Sequence, residues 1–271
     1  MIKKIFLFVI VFFVASSALF SAENKRRRRK ITVPWTQTFG NNLVFGIPDE
    51  NDFILHKEGF SIGYSTKYRQ AVWVCYMLFA DNLKAKQVKR SNNFKADNAV
   101  PNPVYPNDYN KSGYDRGHLA PAADMTYSLE SMENSFFMTN ISPQIPGCNR
   151  GIWRRVETQV RTWAYQEEIL YVITGPIFDE KNEKKLGATD IPVPVAFYKI
   201  IFDLTPPCKM IGFIVPNETT KRRVPSFVVS VDDIEKLTGN DFFNNLPKKD
   251  EAIFEAQKDI NLWNNPGPRR K

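Results

Sequence analysis

Tyr114-Asp115-Arg116-Gly117-His118-Leu119-Ala120-Pro121-Ala122-Ala123-Asp124-Met125 contains one of only two histidines in the 271-residue chain, the other being His56. A side chain that takes and returns a proton near neutral pH therefore has few other places to sit. Two residues before His118, Arg116 supplies a permanently charged planar guanidinium. Gly117 between them lets backbone or substrate come close. That combination suits a site that handles phosphate. Taken alone, Asp115–His118 favours a plainer role, a structural histidine in a loop with Arg116 paired to Asp115. The flanking sequence decides between the two.

Upstream, Phe94–Ser112 is loop-like, with Pro101, Pro103 and Pro106 among Asn and Asp residues. Before it, Ala71–Phe79 is an unbroken apolar run that predicts a strand buried on both faces. Downstream, Phe136–Ile141 predicts a short strand leading into Thr139-Asn140-Ile141-Ser142-Pro143-Gln144. After a turn at Pro146-Gly147, the segment Ile152–Glu168 has helical periodicity, with Ile152, Val156, Val160 and Trp163 as its core stripe. Glu157 and Arg161 lie four apart on one flank, so the helix packs inward while its edge offers an acid and a base to a cleft. The remainder is β-rich. Ile169–Thr174 is a strand, and Val195–Leu204 with Lys209–Val215 forms a hairpin about Thr205-Pro206-Pro207-Cys208. Phe227–Val231 is a last strand, and a short acidic helix covers Val231–Thr238. After Asn244 the chain turns polar and reads as a frayed tail.

The formal charge of +8 is not evenly spread. Lys3, Lys4, Lys25–Lys30 and Arg269–Lys271 hold eleven of the 37 basic residues, which leaves the body between them near neutral. Affinity for nucleic acid must then come from a local patch or from the tails. Residues 1–22 read as an export signal, with a basic start, the apolar run Ile5–Phe20 and small residues at Ser21-Ala22. The alternative is an uncleaved signal-anchor, favoured by the basic run that follows. With the segment removed, no membrane span remains. Residues 23–45 read as a basic linker. Of the three cysteines, Cys75 lies in an apolar run as a buried thiol, and pairing of Cys148 with Cys208 stays open. There is no glycine-rich phosphate loop, no Cys/His zinc spacing and no Gly-x-Ser-x-Gly elbow.

Asp115-Arg116-Gly117-His118, then Thr139–Gln144, then Asn149-Arg150-Gly151-Ile152-Trp153, then Glu157 and Arg161 form an ordered set. In this order and spacing the chain resembles the DNA/RNA non-specific endonucleases, ββα-metal nucleases whose eukaryotic branch is endonuclease G. The likeness extends from about Gly46 to Phe243 and includes Tyr171–Pro176 and Ile191–Pro194. It implies an α+β fold, with a central, mostly antiparallel sheet, helices, and a ββα-metal motif on one side. The domain would span residues 46–245, followed by a polar tail over 246–271. The implied activity is cleavage of DNA and RNA with little sequence preference, dependent on Mg²⁺ (Mn²⁺ as a substitute), leaving 5′-phosphates.

By the same resemblance, His118 is the general base and Asn149 supplies one oxygen to the metal. Glu157 holds metal-bound waters, Arg116 and Arg161 contact phosphate, and Asn140 orients the site. Read from the residues themselves, Arg150, Arg154 and Arg155 make a solvated or phosphate-facing edge rather than catalytic groups. Many relatives carry Asn-Gln where this chain has Asn149-Arg150, and the extra charge would strengthen phosphate binding. Each residue also has an ordinary structural role open to it. Asn149 can cap the following helix, Glu157 and Arg161 can be a surface pair, and Asn140 can serve a turn. His56 has no assigned role. A non-catalytic protein binding nucleic acid or an anionic surface through Lys25–Lys30 is the competing class. A homodimer is left open.

Overall fold

The computed structural model describes residues 41–48, 51–85, 88–181 and 184–264. The export segment and Lys25–Lys30 lie outside these residues. The sheet begins with a hairpin of β1 (Phe53–Lys57) and β2 (Phe60–Ser65), continued by β3 (Gln70–Phe79), the apolar run around Trp73. Helix α1 (Ala80–Ala85) ends this unit. Two short strands follow, β4 (Asp115–His118) and β5 (Ile141–Gln144), with helix α2 (Leu129–Asn134) between them. Next comes α3 (Arg154–Glu167), which leads into β6 (Ile169–Ile177). After the small pair β7 (Lys184–Lys185) and β8 (Pro192–Val193), the chain forms β9 (Ala196–Asp203), β10 (Lys209–Pro216) and β11 (Val228–Val229). The last helices are α4 (Val231–Thr238), α5 (Lys248–Glu255) and α6 (Asn261–Asn264).

Seven strands form one sheet in the order β1-β2-β3-β6-β9-β10-β11. Every neighbouring pair is antiparallel, so the expected central antiparallel sheet is present. All eight residues of β9 are buried, as a strand covered on both faces requires. Helix α3 lays Val156, Val160 and Trp163 into the main core with Val74, Val172 and Phe213. No helix among the described residues is long and apolar enough to cross a membrane.

Three expectations change. The strand expected over Phe136–Ile141 is a short helical turn at Met138–Asn140, and extended structure starts only at Ile141. The Asn140 side chain bonds the backbone of Ala120 and Ser135, and this local competition bends the chain out of the strand. The expected frayed tail is folded as far as Asn264. Phe254 packs on Phe202, and the fully buried Trp263 ring lies 4.7 Å from that of Trp163. The apolar residues Ile253, Phe254, Ile260, Leu262 and Trp263 sit among charged and amide side chains without a sustained helical period, so the segment reads as polar. The linker also ends early, because buried Phe45 sits 4.8 Å from the Tyr171 ring.

Candidate active site

Strands β4 and β5 pair antiparallel outside the main sheet, with Gly117 opposite Ser142 and His118 opposite Ile141. A Cβ on Gly117 would come within 2.2 Å of Gln144 Cδ, so this register needs a glycine there. Alternation along β4 puts Arg116 and His118 on one face and Asp115 on the other. The His118 ring stands edge-on to Phe136, centroids 4.8 Å apart, with Phe94 at 5.5 Å. The Arg116 guanidinium lies over Phe94 and that of Arg90 over Phe136, each 5.1 Å from the ring centre. His118 is 8% exposed and its Nε2 is buried with no hydrogen-bond partner. Burial, reinforced by the nearby charge of Arg90, lowers its pKa to about 3. The imidazole is therefore neutral at physiological pH, the form a general base requires.

On the other face of β4, Asp115 does not pair with Arg116. Its Oδ2 accepts from Asn149 Nδ2 at 2.9 Å and from Arg150 Nε at 2.8 Å, while Oδ1 takes a second bond from Arg150. Burial works against the charge, yet the bonds from Arg150 and Asn149 hold the Asp115 carboxyl below its ordinary range. Arg150 is thus paired with Asp115, while its side chain stays largely exposed at the edge of the site. Asn149 belongs to a π-helical turn, Cys148–Trp153, kinked at Gly151 ahead of α3. No side chain caps that turn, and the Asn149 amide goes to Asp115 instead, which removes the helix-cap alternative. With its amide nitrogen committed, Asn149 keeps its carbonyl oxygen clear of protein donors among the described residues. A cleft of about 350 Å³ is lined by Tyr109, Tyr114, Asp115, Arg116, Asn149 and Arg150. One neutral oxygen beside an open cleft fits a hydrated hard dication that keeps most of its waters.

Helix α3 brings the second half of the set. Arg161 pairs with Asp124 at 2.9 Å rather than with Glu157, so the surface-pair alternative fails for it. The buried Asp124 carboxylate also accepts the Tyr76 hydroxyl at 2.9 Å, which ties the end of the opening stretch to β3. Glu157 is half-buried, and desolvation raises its pKa against the opposing charges of Lys199 and Arg161. Lys199 on β9 is 1% exposed, and its ammonium has no hydrogen-bond partner, resting 4.8 Å from the centre of the Trp153 ring. Burial lowers the Lys199 pKa while Glu157 opposes the shift. Trp153 in turn donates its indole N–H to the His118 carbonyl at 3.4 Å.

Asn140 serves the site from below. Its side chain bonds both backbone groups of Ala120 at 2.9 Å, which clamps the chain just past His118. Arg154 and Arg155 are exposed on the first turn of α3 and do not line the cleft; Arg155 donates to the Arg222 carbonyl at 3.2 Å. His56 bonds Ser61 across the first hairpin, away from this set. Sequence reasoning missed Arg90, Phe94, Phe136, Tyr76, Asp124 and Lys199. Of these, Lys199 alone carried a signal, a charge inside an eight-residue apolar strand. Cys75, Cys148 and Cys208 are all free thiols.

A family model described as DNA/RNA non-specific endonuclease matches residues 40–249. Nuclease C1 of Cunninghamella echinulata var. echinulata is 35% identical over 221 residues, covering 75% of this chain and 88% of its own length. The mitochondrial endonuclease G of Homo sapiens is 28% identical over 222 residues, covering 76% and 74%. Among solved structures, a chain from the crystal structure of the EndoG/EndoGI complex superposes with a TM-score of 0.72 at 25% identity, covering 82% of this chain and 95% of that one. The chain belongs to the DNA/RNA non-specific endonuclease family, and it is a nuclease.

The expectation of export, with a signal-anchor as its alternative, is corrected by these relatives. Those from Homo sapiens, Saccharomyces cerevisiae and Caenorhabditis elegans are named as mitochondrial proteins. An apolar run between lysines and an arginine-rich stretch is a composition shared by targeting segments of more than one address.

Proposed function

We propose that the chain hydrolyses phosphodiester bonds of DNA and RNA with Mg²⁺ as its ion and Mn²⁺ as a working substitute, leaving 5′-phosphate ends. His118 takes the proton of the attacking water. The observation that carries this role is its buried, neutral and unpartnered imidazole on the same strand face as Arg116. Arg116 and Arg161 offset the charge that builds on the phosphate as the bond breaks. Asn149 would hold the ion through its amide oxygen, Asp115 would fix that amide, and Glu157 would hold the ion's waters. The ion supplies Lewis-acid stabilisation of phosphate and leaving oxygen. Asn140 keeps the backbone past His118 in place. Contacts to the phosphate backbone carry no base information, which accounts for cleavage with little sequence preference.

Nicking of supercoiled plasmid, and degradation of RNA, with and without Mg²⁺ tests this reading directly. Cleavage is expected to stop in excess EDTA and to return with Mg²⁺ or Mn²⁺. Undiminished cleavage in EDTA would sink the metal mechanism, and binding without cleavage under any ion would point to a non-catalytic nucleic-acid binder.

A further inference from the structure

Away from this site, two overlapping groups of carboxylates lie where α4 meets α5. Asp232, Glu235 and Glu255 offer oxygens within 4.8 Å of one another, and so do Asp241, Glu251 and Glu255. Asp232 and Glu235 are three apart on α4, and Glu251 and Glu255 are four apart on α5, so each helix presents two acids on one face. Asp241 follows the Gly239 turn, and Glu255 belongs to both groups. Opposing charge is scarce. Lys248 reaches Glu251 at 2.8 Å and Asp241 at 3.5 Å, while Lys236 and Lys258 are directed to Asp233. Asp232, Glu235 and Glu255 form no ion pair among the described residues.

Separate from the clustering itself, buried oxygens here lack partners. Glu255 is 4% exposed and Glu251 8%, yet Glu255 Oε1 and Glu251 Oε2 are buried without a hydrogen-bond donor. Asn240, directly before Asp241, is also buried with its Oδ1 unpartnered. Burial, and then the charges of Glu235, Glu251, Asp241 and Asp232, push Glu255 up to about 8. Without a positive guest, the group therefore holds a proton at neutral pH. Several carboxylates converging from two elements is the oxygen-rich, adaptable donor set that calcium takes.

We propose that this corner is a second cation site, built for a hard divalent ion such as calcium, which joins α5 to α4. It is independent of the nuclease centre and needs none of its residues. Calorimetric melts of the full chain at pH 7.5, in EDTA and in excess Ca²⁺, test it. At Ca²⁺ about 100-fold above its Kd, Tm should rise by roughly 5–10 °C. Glu255→Gln should abolish that rise, and so should the milder Asp232→Asn, which covers the case in which Glu255→Gln fails to fold. Asn149→Ala should keep it. The proposal is overturned if wild type shows no rise, or if the rise survives Glu255→Gln or Asp232→Asn. A Tm that climbs as pH falls from 8 to 6, with Ca²⁺ inert, would assign the cluster to shared protons and likewise overturn it.

Discussion

His118 combines two properties that pull on different measurements. As the proposed base it would govern turnover, so His118→Asn should lower the single-turnover rate by roughly 10²–10⁴-fold with nucleic-acid binding retained. As a buried neutral ring it also penalises folding in acid. Its folded pKa of about 3 lies below the ~6.5 of an unfolded histidine. Between those values the unfolded chain carries a proton that the native state excludes. Stability should therefore fall as pH drops from ~6.5 toward 3, by at most ~1.4 kcal/mol per unit from this group, and be untouched by it above that window. Urea melts of wild type and His118→Asn in EDTA should diverge in slope across pH 4.5–6.5. Parallel curves would mean that protons reach the ring in the native fold. The burial was not visible in the motif, because Phe94, Phe136 and Arg90, which make the ring's environment, come from other parts of the chain.

At the level of elements, β4 works as a two-sided strand. One face holds Arg116 and His118, while the other holds Asp115 and, through it, Asn149 in the turn before α3. Asn149→Ala should raise the Mg²⁺ concentration needed for half-maximal cleavage. Asp115→Ala should raise it too, by roughly 10–100-fold, since it frees the amide that Asn149 must present. An unchanged Mg²⁺ titration in Asp115→Ala would mean that Asn149 is oriented by something else. Strand β9 contributes differently. Lys199→Met removes the charge that faces Glu157 and leaves that buried carboxyl poorly compensated, so stability at neutral pH should fall. Glu157 would lose its main opposing charge, and the acid limb of the pH–rate profile should move to higher pH. If the profile stays put, Lys199 does not act on Glu157.

Across the whole molecule, the site depends on packing far from it. Trp263 packs at a tilt against Trp163, and Trp163 shares α3 with Glu157 and Arg161. Trp263→Ala should cost about 3–5 kcal/mol in urea melts, and by loosening α3 it should lower cleavage as well. A variant as stable as wild type would return the segment after Leu246 to the tail that its composition suggested.

By itself, the sequence determined the local periodicities and the inventory of chemistry. A β-branched, aromatic run yields β3, Ser230 before Asp233 starts α4 and Gly239 ends it at a left-handed φ of 76°. One histidine beside an arginine marks the site. These follow from interactions between residues a few positions apart, which a linear reading can trace. Tertiary structure alone decided that Asp115 serves Asn149 and Arg150 rather than its neighbour Arg116, that Arg161 belongs to Asp124, and that a lysine lies buried under the site. Those pairings join residues between 34 and 37 positions apart, or strands from separate parts of the sheet. They are set by which faces the packed core turns toward one another, and no local pattern encodes that.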